Sequence, residues 1–191
     1  MNRYVVASIR MALVTMVVLG LAYPLAVAGV AGLLMPARAG GSLVTRGGTV
    51  VGSALIGQRF TDAKYVHGRP SAAGADGYDA TASGASNLAP TSQALADAVS
   101  VRVANAVAEN PGLTPGKVPV DMVTASGSGL DPDITLANAY AQVERVASAR
   151  GMSQAAVRAL VDGNVTGRQF GVLGEPRVNV LLLNLALDAA K

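Results

Sequence analysis

The longest apolar run of the chain lies near its amino terminus. Residues 11–35 contain no charged side chain and consist mostly of Val, Leu, Ala and Gly. With a rise of about 1.5 Å per residue, an α-helix of this length crosses the ~30 Å hydrocarbon core of a bilayer with some tilt. The pattern therefore predicts a transmembrane helix over residues 11–35, preceded by a short terminus of residues 1–10.

Small residues and one proline interrupt this apolar segment. Pro24 lies near its middle and predicts a kink, which membrane helices tolerate better than soluble ones. Glycines on such a helix allow a partner helix to approach closely, although a plain lipid-facing helix explains them equally well. The candidate transmembrane packing residues are Gly20, Tyr23, Pro24, Gly29 and Gly32.

A cleaved signal peptide is the alternative explanation for the same segment. Arg3 and Arg10 would form its basic region, and the triplets at 26–28 and 37–39 have the small residues of a cleavage site. The apolar stretch is longer than the ~7–15 residues of a signal core, so we favour a retained anchor. More positive groups precede the helix than follow it closely, which places the N-terminus in the cytoplasm.

The remainder of the chain alternates short apolar segments with turn-forming stretches. We expect a Gly-rich linker at 36–48, a strand at 49–56, a long polar loop at 66–90 and a short strand at 118–124. Apolar positions at helical spacing predict three helices, which begin near Thr91 or Ser92, near Asp133 or Thr135, and at Ser153. Residues 178–188 fit a buried strand or a buried helix. The pattern predicts one α/β or α+β domain over residues 49–191, on a single N-terminal transmembrane helix.

The composition favours a membrane-associated protein. Of 191 residues, 51% are hydrophobic and only 14% are charged, against ~25% charged in a typical soluble protein. There is no Cys and only one His, so a disulfide framework, a thiolate metal site and a multi-histidine zinc site are excluded. The 15 basic residues are scattered singly among 12 acidic ones, so the basic stripe of a nucleic-acid binder is missing.

Candidate catalytic and ligand motifs have simpler explanations. Residues 112–118 (GLTPGKV) are one residue short of a phosphate loop and lack its final hydroxyl, which indicates a turn. A Ser-His-acid hydrolase would depend on His67, but no G-x-S-x-G elbow exposes a nucleophile. Asp131 and Asp133 lack the further oxygen ligands of a calcium loop, and helix capping by Asp133 is the simpler interpretation. No catalytic or metal-ligating residue is assigned.

Two loop segments are unusually rich in small and hydroxyl-bearing residues. They cover residues 83–90 and 124–132. Such stretches expose many backbone donors and fit closely against another surface or an anion. Contact with a partner and ordinary tight loops both explain them.

These two segments, together with several others, resemble the C subunits of the bacterial Kdp potassium-transporting P-type ATPases. The similar stretches are 52–58 (GSALIGQ), 65–71 (YVHGRPS), 83–90 (SGASNLAP), 120–132 (VDMVTASGSGLDP), 145–147 (RVA), 173–180 (LGEPRVNV) and 183–188 (LNLALD), with Tyr23 and Pro24 in the apolar helix. They cover nearly the whole chain in the family's order. Small departures are Ala85, where the family commonly has Gly, and Ser92–Gln93, where Asn-Pro is usual.

The resemblance implies an accessory subunit of a potassium-uptake complex in the bacterial inner membrane. Its partners would be a multi-span potassium-binding subunit, a catalytic P-type ATPase subunit, a small single-span subunit and membrane lipid. This chain has no Asp-Lys-Thr-Gly phosphorylation motif and so is not expected to be an enzyme by itself. Candidate partner-contact residues are Tyr65, Arg69, Pro70, Ser83, Gly84, Ser86, Asn87, Ser126, Gly127, Ser128, Gly129, Leu130 and Asp131.

The resemblance also implies a role in ATP use. Family C subunits are thought to stabilise the complex and to raise the ATP affinity of the catalytic subunit, and Gln142 corresponds to the glutamine proposed to contact nucleotide. We expect no firmly bound cofactor, because the chain has no phosphate loop and its main domain is predicted to lie outside the cytoplasm. Indirect conformational coupling is therefore the expected route. A membrane-anchored or secreted ligand-binding module, with a pocket formed by the 66–90 loop, is the alternative function.

Overall fold

The computed structural model describes residues 2–190, which divide into two units between Val51 and Gly52. The first unit holds the apolar N-terminal helix. The second unit combines helices with a small sheet. The predicted class, a mixed helix-and-sheet domain preceded by one apolar helix, is confirmed.

The apolar helix extends from Asn2 to Leu34, so it begins nine residues before the predicted span. It consists of α1 (Asn2–Val17), a π-helical turn (Val18–Ala22) and α2 (Tyr23–Leu34). The π turn directly precedes Pro24, whose missing N–H removes a regular helical bond, and the N–H of Tyr23 donates to the carbonyl of Val18. No residue from 2 to 34 is buried, and the helix is long and apolar enough to cross a membrane.

A short helix and a hairpin follow the apolar helix, and the boundary between the two units falls within the second strand of the hairpin. The helix α3 covers Pro36–Ala39, and strands β1 (Leu43–Arg46) and β2 (Thr49–Ser53) form a two-stranded sheet. Gly47 and Gly48 form the connecting turn with φ of 57° and 83°, a conformation that hairpin turns require and glycine adopts readily. The strand predicted at 49–56 begins where expected but ends at Ser53.

The second unit is built on a three-stranded antiparallel sheet in the order β3–β5–β4. The strands are β3 (Asp133–Thr135), β4 (Val165–Thr166) and β5 (Arg177–Asn179). The helices are α4 (Gln93–Glu109), α5 (Val120–Val123), α6 (Leu136–Ala141), α7 (Val143–Arg150), α8 (Gln154–Gly163) and α9 (Val180–Ala189), with a 3₁₀ turn at Pro115–Lys117.

The core forms where the sheet meets α7, α8 and α9. In the central strand, Val178 is fully buried and lies opposite both Ile134 and Val165. Val157 and Val161, four residues apart on α8, are also fully buried, as the helical spacing predicts. The core cluster comprises Val66, Ile134, Ala139, Val143, Val146, Ala147, Val157, Val161, Val178, Val180, Leu183 and Leu187.

The strand predicted at residues 118–124 is wrong. The segment follows the 3₁₀ turn and contains the short helix α5, because the buried carboxylate of Asp121 holds the turn in place. Its oxygens accept from the N–H and hydroxyl of Thr135 at 2.8 and 3.0 Å, and from the amide of Asn138 at 3.1 Å.

The structure also defines two other predicted segments. The helix expected to begin near Asp133 or Thr135 and to end at Gly151 is divided into α6 and α7, which meet at Gln142. Its cap is Thr135, whose hydroxyl accepts from the N–H of Asn138, whereas Asp133 lies in β3 and pairs with Arg177 at 2.8 Å. The ambiguous segment 178–188 is part strand and part helix, because β5 passes directly into α9 with Asn179 as its cap.

Residues 54–92 contain neither helix nor strand. Two buried amide side chains bond to the backbone of this segment, in the way that the backbone of a neighbouring strand bonds to a strand in a sheet. Asn184 on α9 accepts from the N–H of Val66 at 2.8 Å and donates to its carbonyl at 2.9 Å. Gln142 does the same for His67, at 2.8 and 3.0 Å. These paired bonds satisfy the buried backbone that an irregular loop would otherwise leave unpaired.

Candidate functional site

Most of the predicted partner-contact residues come together in one surface, here called the loop platform, formed by residues 69–71, 83–87 and 126–131. Ser83 and Gly84 both donate to the carbonyl of Ser128, at 3.0 and 2.9 Å. Ser71 donates to the carbonyl of Gly129 at 2.6 Å. Three segments that are distant in the sequence are therefore joined directly by hydrogen bonds.

Arg69 and Asp131 form the polar centre of the loop platform. Arg69 Nη1 lies 3.0 Å from Asp131 Oδ2, and Arg69 Nη2 donates to the carbonyl of Ala125 at 3.3 Å. The second oxygen of Asp131 accepts from the N–H of Asp133 at 3.0 Å. Both side chains are largely covered, so this ion pair is less screened by solvent than an exposed one.

The loop platform has a buried base and an exposed rim. Ser126 and Gly129 are buried in the base. The rim residues are exposed and comprise Ser83, Ser86, Asn87, Gly127 and Ser128. Asn87 has a φ of 51°, a left-handed conformation that few residues other than glycine adopt, and Asn is one of them. The rim is thus fixed by hydrogen bonds in its base and remains available for contact.

Tyr65 lies apart from the other candidate contact residues. Its hydroxyl lies 3.2 Å from Asp188 Oδ2, and Arg150 stacks over its ring at 5.2 Å. Its ring also lies 5.4 Å from that of Phe60. The structure therefore places Tyr65 against α9 rather than in the loop platform.

Gln142, the candidate nucleotide contact, is 2% exposed. Its oxygen accepts from the N–H of His67 and from Arg145 Nη2, and its nitrogen donates to the carbonyl of His67 and to Asn138 Oδ1. These four bonds use the whole hydrogen-bonding capacity of an amide. A nucleotide would reach this side chain only by replacing one of them.

A cavity of about 200 Å³ lies on the outer side of Gln142. Its lining includes three arginines, Arg59, Arg69 and Arg102, together with His67 and Glu109. The loop of residues 59–70 and the helix α4 provide most of the wall. A pocket at the 66–90 loop belonged only to the alternative function, a ligand-binding module, and the arginines of this cavity were not identified from the sequence.

His67 has few polar contacts, although it is the only imidazole of the chain. Its Nδ1 lies 3.6 Å from Glu109 Oε2, and its Nε2 lies 3.2 Å from the carbonyl of Asp62. Neither of these two contacts is with a hydroxyl group that could act as the nucleophile of a Ser-His-acid arrangement. Burial, followed by the positive charge of Arg145, lowers the pKa of His67 from its usual 6.5.

The lowered pKa of His67 predicts a loss of stability in mild acid. Below pH 6.5 the unfolded chain binds a proton at this residue more readily than the folded chain, so the free energy of unfolding falls as the pH decreases towards the folded pKa. Above pH 6.5 both states are neutral and this effect is absent. Urea unfolding between about pH 5 and 8 should show a shallower pH dependence in His67→Gln than in the wild type. An unchanged slope would contradict the assignment.

An exposed apolar hairpin tip was not identified as a site from the sequence. Gln169 and Leu173 pair through two backbone hydrogen bonds of 2.9 Å and close a turn between β4 and β5. Phe170 at this turn has a φ of 53° and is 84% exposed, and Val172 is exposed as well. The sequence signal for this tip was the short apolar run at residues 170–173, between Gly167 and Gly174. A run this short does not indicate whether its side chains are buried or exposed.

Comparisons with known proteins agree along the whole chain. The sequence profile described as K+-transporting ATPase, c chain, matches residues 5–189. The potassium-transporting ATPase KdpC subunit of Gemmatimonas aurantiaca is 61% identical over 89% of this chain and 84% of its own length. Those of Rhodopseudomonas palustris and Bradyrhizobium diazoefficiens are 56% and 54% identical, and cover 95% and 100% of this chain and 96% and 98% of their own lengths.

The similarity to subunits of a potassium-transporting ATPase explains why the apolar helix is exposed. One such N-terminal helix indicates a single-pass membrane protein in a membrane transporter complex. It also agrees with a subunit whose partners are other Kdp subunits. The chain therefore belongs to the KdpC family, the c chains of the K+-transporting ATPase.

Proposed function

We propose that this subunit stabilises the assembled potassium-transporting ATPase and raises the ATP affinity of its catalytic subunit without hydrolysing ATP itself. The observation that carries the proposal is the loop platform, whose exposed rim stands on a base fixed by hydrogen bonds between three loops. A surface that is already ordered loses little conformational entropy on docking, so it suits a permanent contact between subunits.

The proposed effect on ATP is indirect. Gln142 has its amide fully bonded, and residues 112–118 do not have the spacing of a phosphate loop. A loop platform that binds one conformation of the pump better than another shifts the pump towards that conformation. By thermodynamic linkage, ATP then binds more tightly if it prefers the same conformation.

We further propose that the N-terminus lies in the cytoplasm and the main domain outside it, in the bacterial inner membrane. The arginines closest to the uncharged segment 11–35 support this orientation, because Arg3 and Arg10 lie within eight residues on its N-terminal side and Arg38 alone does so on its C-terminal side. Under this arrangement the loop platform meets the extracytoplasmic side of a partner subunit.

Affinity purification of the full-length chain, tagged at its C-terminus and isolated in mild detergent from its potassium-starved host, tests the assembly role. A P-type ATPase subunit and a multi-span potassium-binding subunit should be recovered in fixed proportion. Because a Cβ added at Gly29 or Gly32 would meet nothing within 4 Å, Gly29→Leu and Gly32→Leu should weaken recovery only if this face packs against a partner helix. Recovery of the chain alone, with its N-terminus cleaved after Ala28 or Ala39, would favour a secreted binding module instead.

An ATP titration of the purified complex tests the coupling. Without this subunit, the KM for ATP should rise by about fivefold or more, the lower end of typical coupling energies. Asn87→Gly should give part of that rise, because it removes an exposed side chain while glycine accepts the φ of 51°. The melting temperature of the variant should stay unchanged. An equal KM with and without the subunit would refute the coupling.

The apolar tip at Phe170 is a second proposed contact. Phe170→Ser should weaken association with the other subunits by roughly tenfold, since a buried aromatic side chain contributes about 1.5–3 kcal/mol. Recovery of the partner subunits after extended washing measures this effect. The matched control is Val101→Ser, at a residue that is also exposed but lies on α4. Equal recovery with both variants would mean that the tip makes no contact.

A further inference from the structure

We propose that the cavity beside Gln142 binds an oxyanion, either a carboxylate or a phosphate group. The proposal goes beyond assembly and coupling and does not depend on them. The cavity has a volume of about 200 Å³, below the ~300 Å³ at which sites for drug-sized molecules begin. It therefore suits a single anionic group better than a whole nucleotide.

The charges around the cavity are unbalanced. Arg59, Arg69 and Arg102 line it, and Glu109 is the one acidic residue of the lining described within residues 2–190. Arg145 lies behind the wall, 7% exposed, where it donates only to neutral oxygens. A buried guanidinium without a carboxylate partner is electrostatically unfavourable and creates a positive potential in the neighbouring space.

Most of these positive groups have no carboxylate partner. Among the described residues, no carboxylate lies within 4.0 Å of a nitrogen of Arg59, Arg102 or Arg145. Arg69 has Asp131 as a partner, at 3.0 Å. The cavity thus combines guanidinium groups in excess of the acids that would neutralise them.

Donors in the lining also remain unused. Arg69 Nε is buried and has no hydrogen-bond partner within the part of the chain that the structure describes. Arg102 uses one donor, for the carbonyl of Val123 at 3.0 Å, of the five that a guanidinium carries. An orphaned buried donor is unusual in a folded protein and indicates a missing acceptor.

Two buried acceptors of the same wall are already occupied. The side-chain oxygens of Asn110 and Gln142 both accept from Arg145, at 3.1 and 2.5 Å. Glu109 is the one carboxylate of the described lining, and it is half-exposed beside His67. A cation such as potassium would meet one carboxylate among several guanidinium groups, whereas an oxyanion would meet free donors. The chemistry of the lining therefore selects an anion.

Isothermal titration calorimetry of the full-length chain in detergent, with inorganic phosphate at low ionic strength, tests this proposal. We expect binding of one phosphate per chain, weakened roughly tenfold or more in the Arg59→Gln/Arg102→Gln double variant. The double variant should keep the wild-type melting temperature, which separates a lost site from a lost fold. The matched control is Arg158→Gln, because Arg158 stacks on Tyr140 outside the cavity and should leave binding unchanged.

The same titration on the complete ATPase identifies the source of the anion. Phosphate binding to the complex that is lost when the subunit carries the Arg59→Gln/Arg102→Gln double substitution indicates a free anion as the natural ligand. Binding to the isolated chain that disappears in the complex indicates a carboxylate of a partner subunit that fills the cavity. Absence of binding to the isolated chain, or equal binding to the wild type and the double variant, would overturn the proposal, and either result would leave the assembly role untouched.

Discussion

Replacing Gly129 with alanine is expected to break up the loop platform and release the chain from the ATPase. Gly129 has a φ of 68°, and a Cβ there would lie 2.7 Å from both the backbone N of Ala73 and the carbonyl oxygen of Gly84. Both obstacles are backbone atoms and cannot rotate away. Strain at such a position costs about 1–3 kcal/mol before the overlap is counted, so a loss of about 3 kcal/mol or more in the free energy of unfolding is expected. Thermal unfolding in detergent and recovery of the partner subunits measure the two effects.

The matched control for this variant lies two residues away. Gly127 is in the same loop, but a Cβ there would have nothing within 4 Å and its φ is not positive. Gly127→Ala should therefore leave both stability and subunit recovery close to the wild type. A Gly129→Ala chain that assembles as well as Gly127→Ala would show that the arrangement of these loops is not needed for assembly.

Replacing Arg145 with leucine is expected to destabilise the chain about as strongly as Gly129→Ala. The side chain donates to the carbonyl oxygens of Ala63 and Tyr65, at 2.6 and 2.9 Å, and to Asn110 and Gln142. Each buried acceptor that loses its donor costs about 1–3 kcal/mol, so a total of about 3 kcal/mol or more follows. For a domain of this size, the melting temperature should fall by roughly 6–12 °C.

The control for Arg145 separates burial from charge. Arg158→Leu removes the same charge from an exposed position on α8, where it contacts the ring of Tyr140 at 4.3 Å. Its melting temperature should change by no more than a few degrees. Similar losses in the two variants would mean that net charge, and not the hydrogen bonds of Arg145, determines the stability.

Helices with a regular apolar stripe could be predicted from the sequence, because their signal is local. The spacing of Val157 and Val161 on α8 and the cap at Ser153 follow from neighbouring residues alone. The strand predicted at 118–124 failed for the opposite reason. That apolar run is compatible with a strand or a helix. The buried Asp121 favours the helical turn, because its carboxylate accepts hydrogen bonds from Thr135 and Asn138.

The candidate site was predictable in part. Its loop segments were recognisable by their small and hydroxyl-bearing residues, and by their resemblance to the family. Their contacts were not, because Ser71 and Gly129 are 58 residues apart in the sequence. The cavity was still harder to foresee. Its arginines are scattered singly along the chain, and only folding brings Arg59, Arg69 and Arg102 around one space.

The paired amide bonds to Val66 and His67 also constrain the order in which the domain is completed. The partner of Val66 is Asn184, 118 residues further along the chain, and the partner of His67 is Gln142, 75 residues further along. A chain synthesised from its N-terminus therefore produces the loop long before it produces the side chains that hold it. Until α9 has emerged, the N–H and carbonyl of Val66 remain without the side chain that pairs with them. The position of Val66 in the loop is therefore fixed only after α9, which is synthesised much later, has been made.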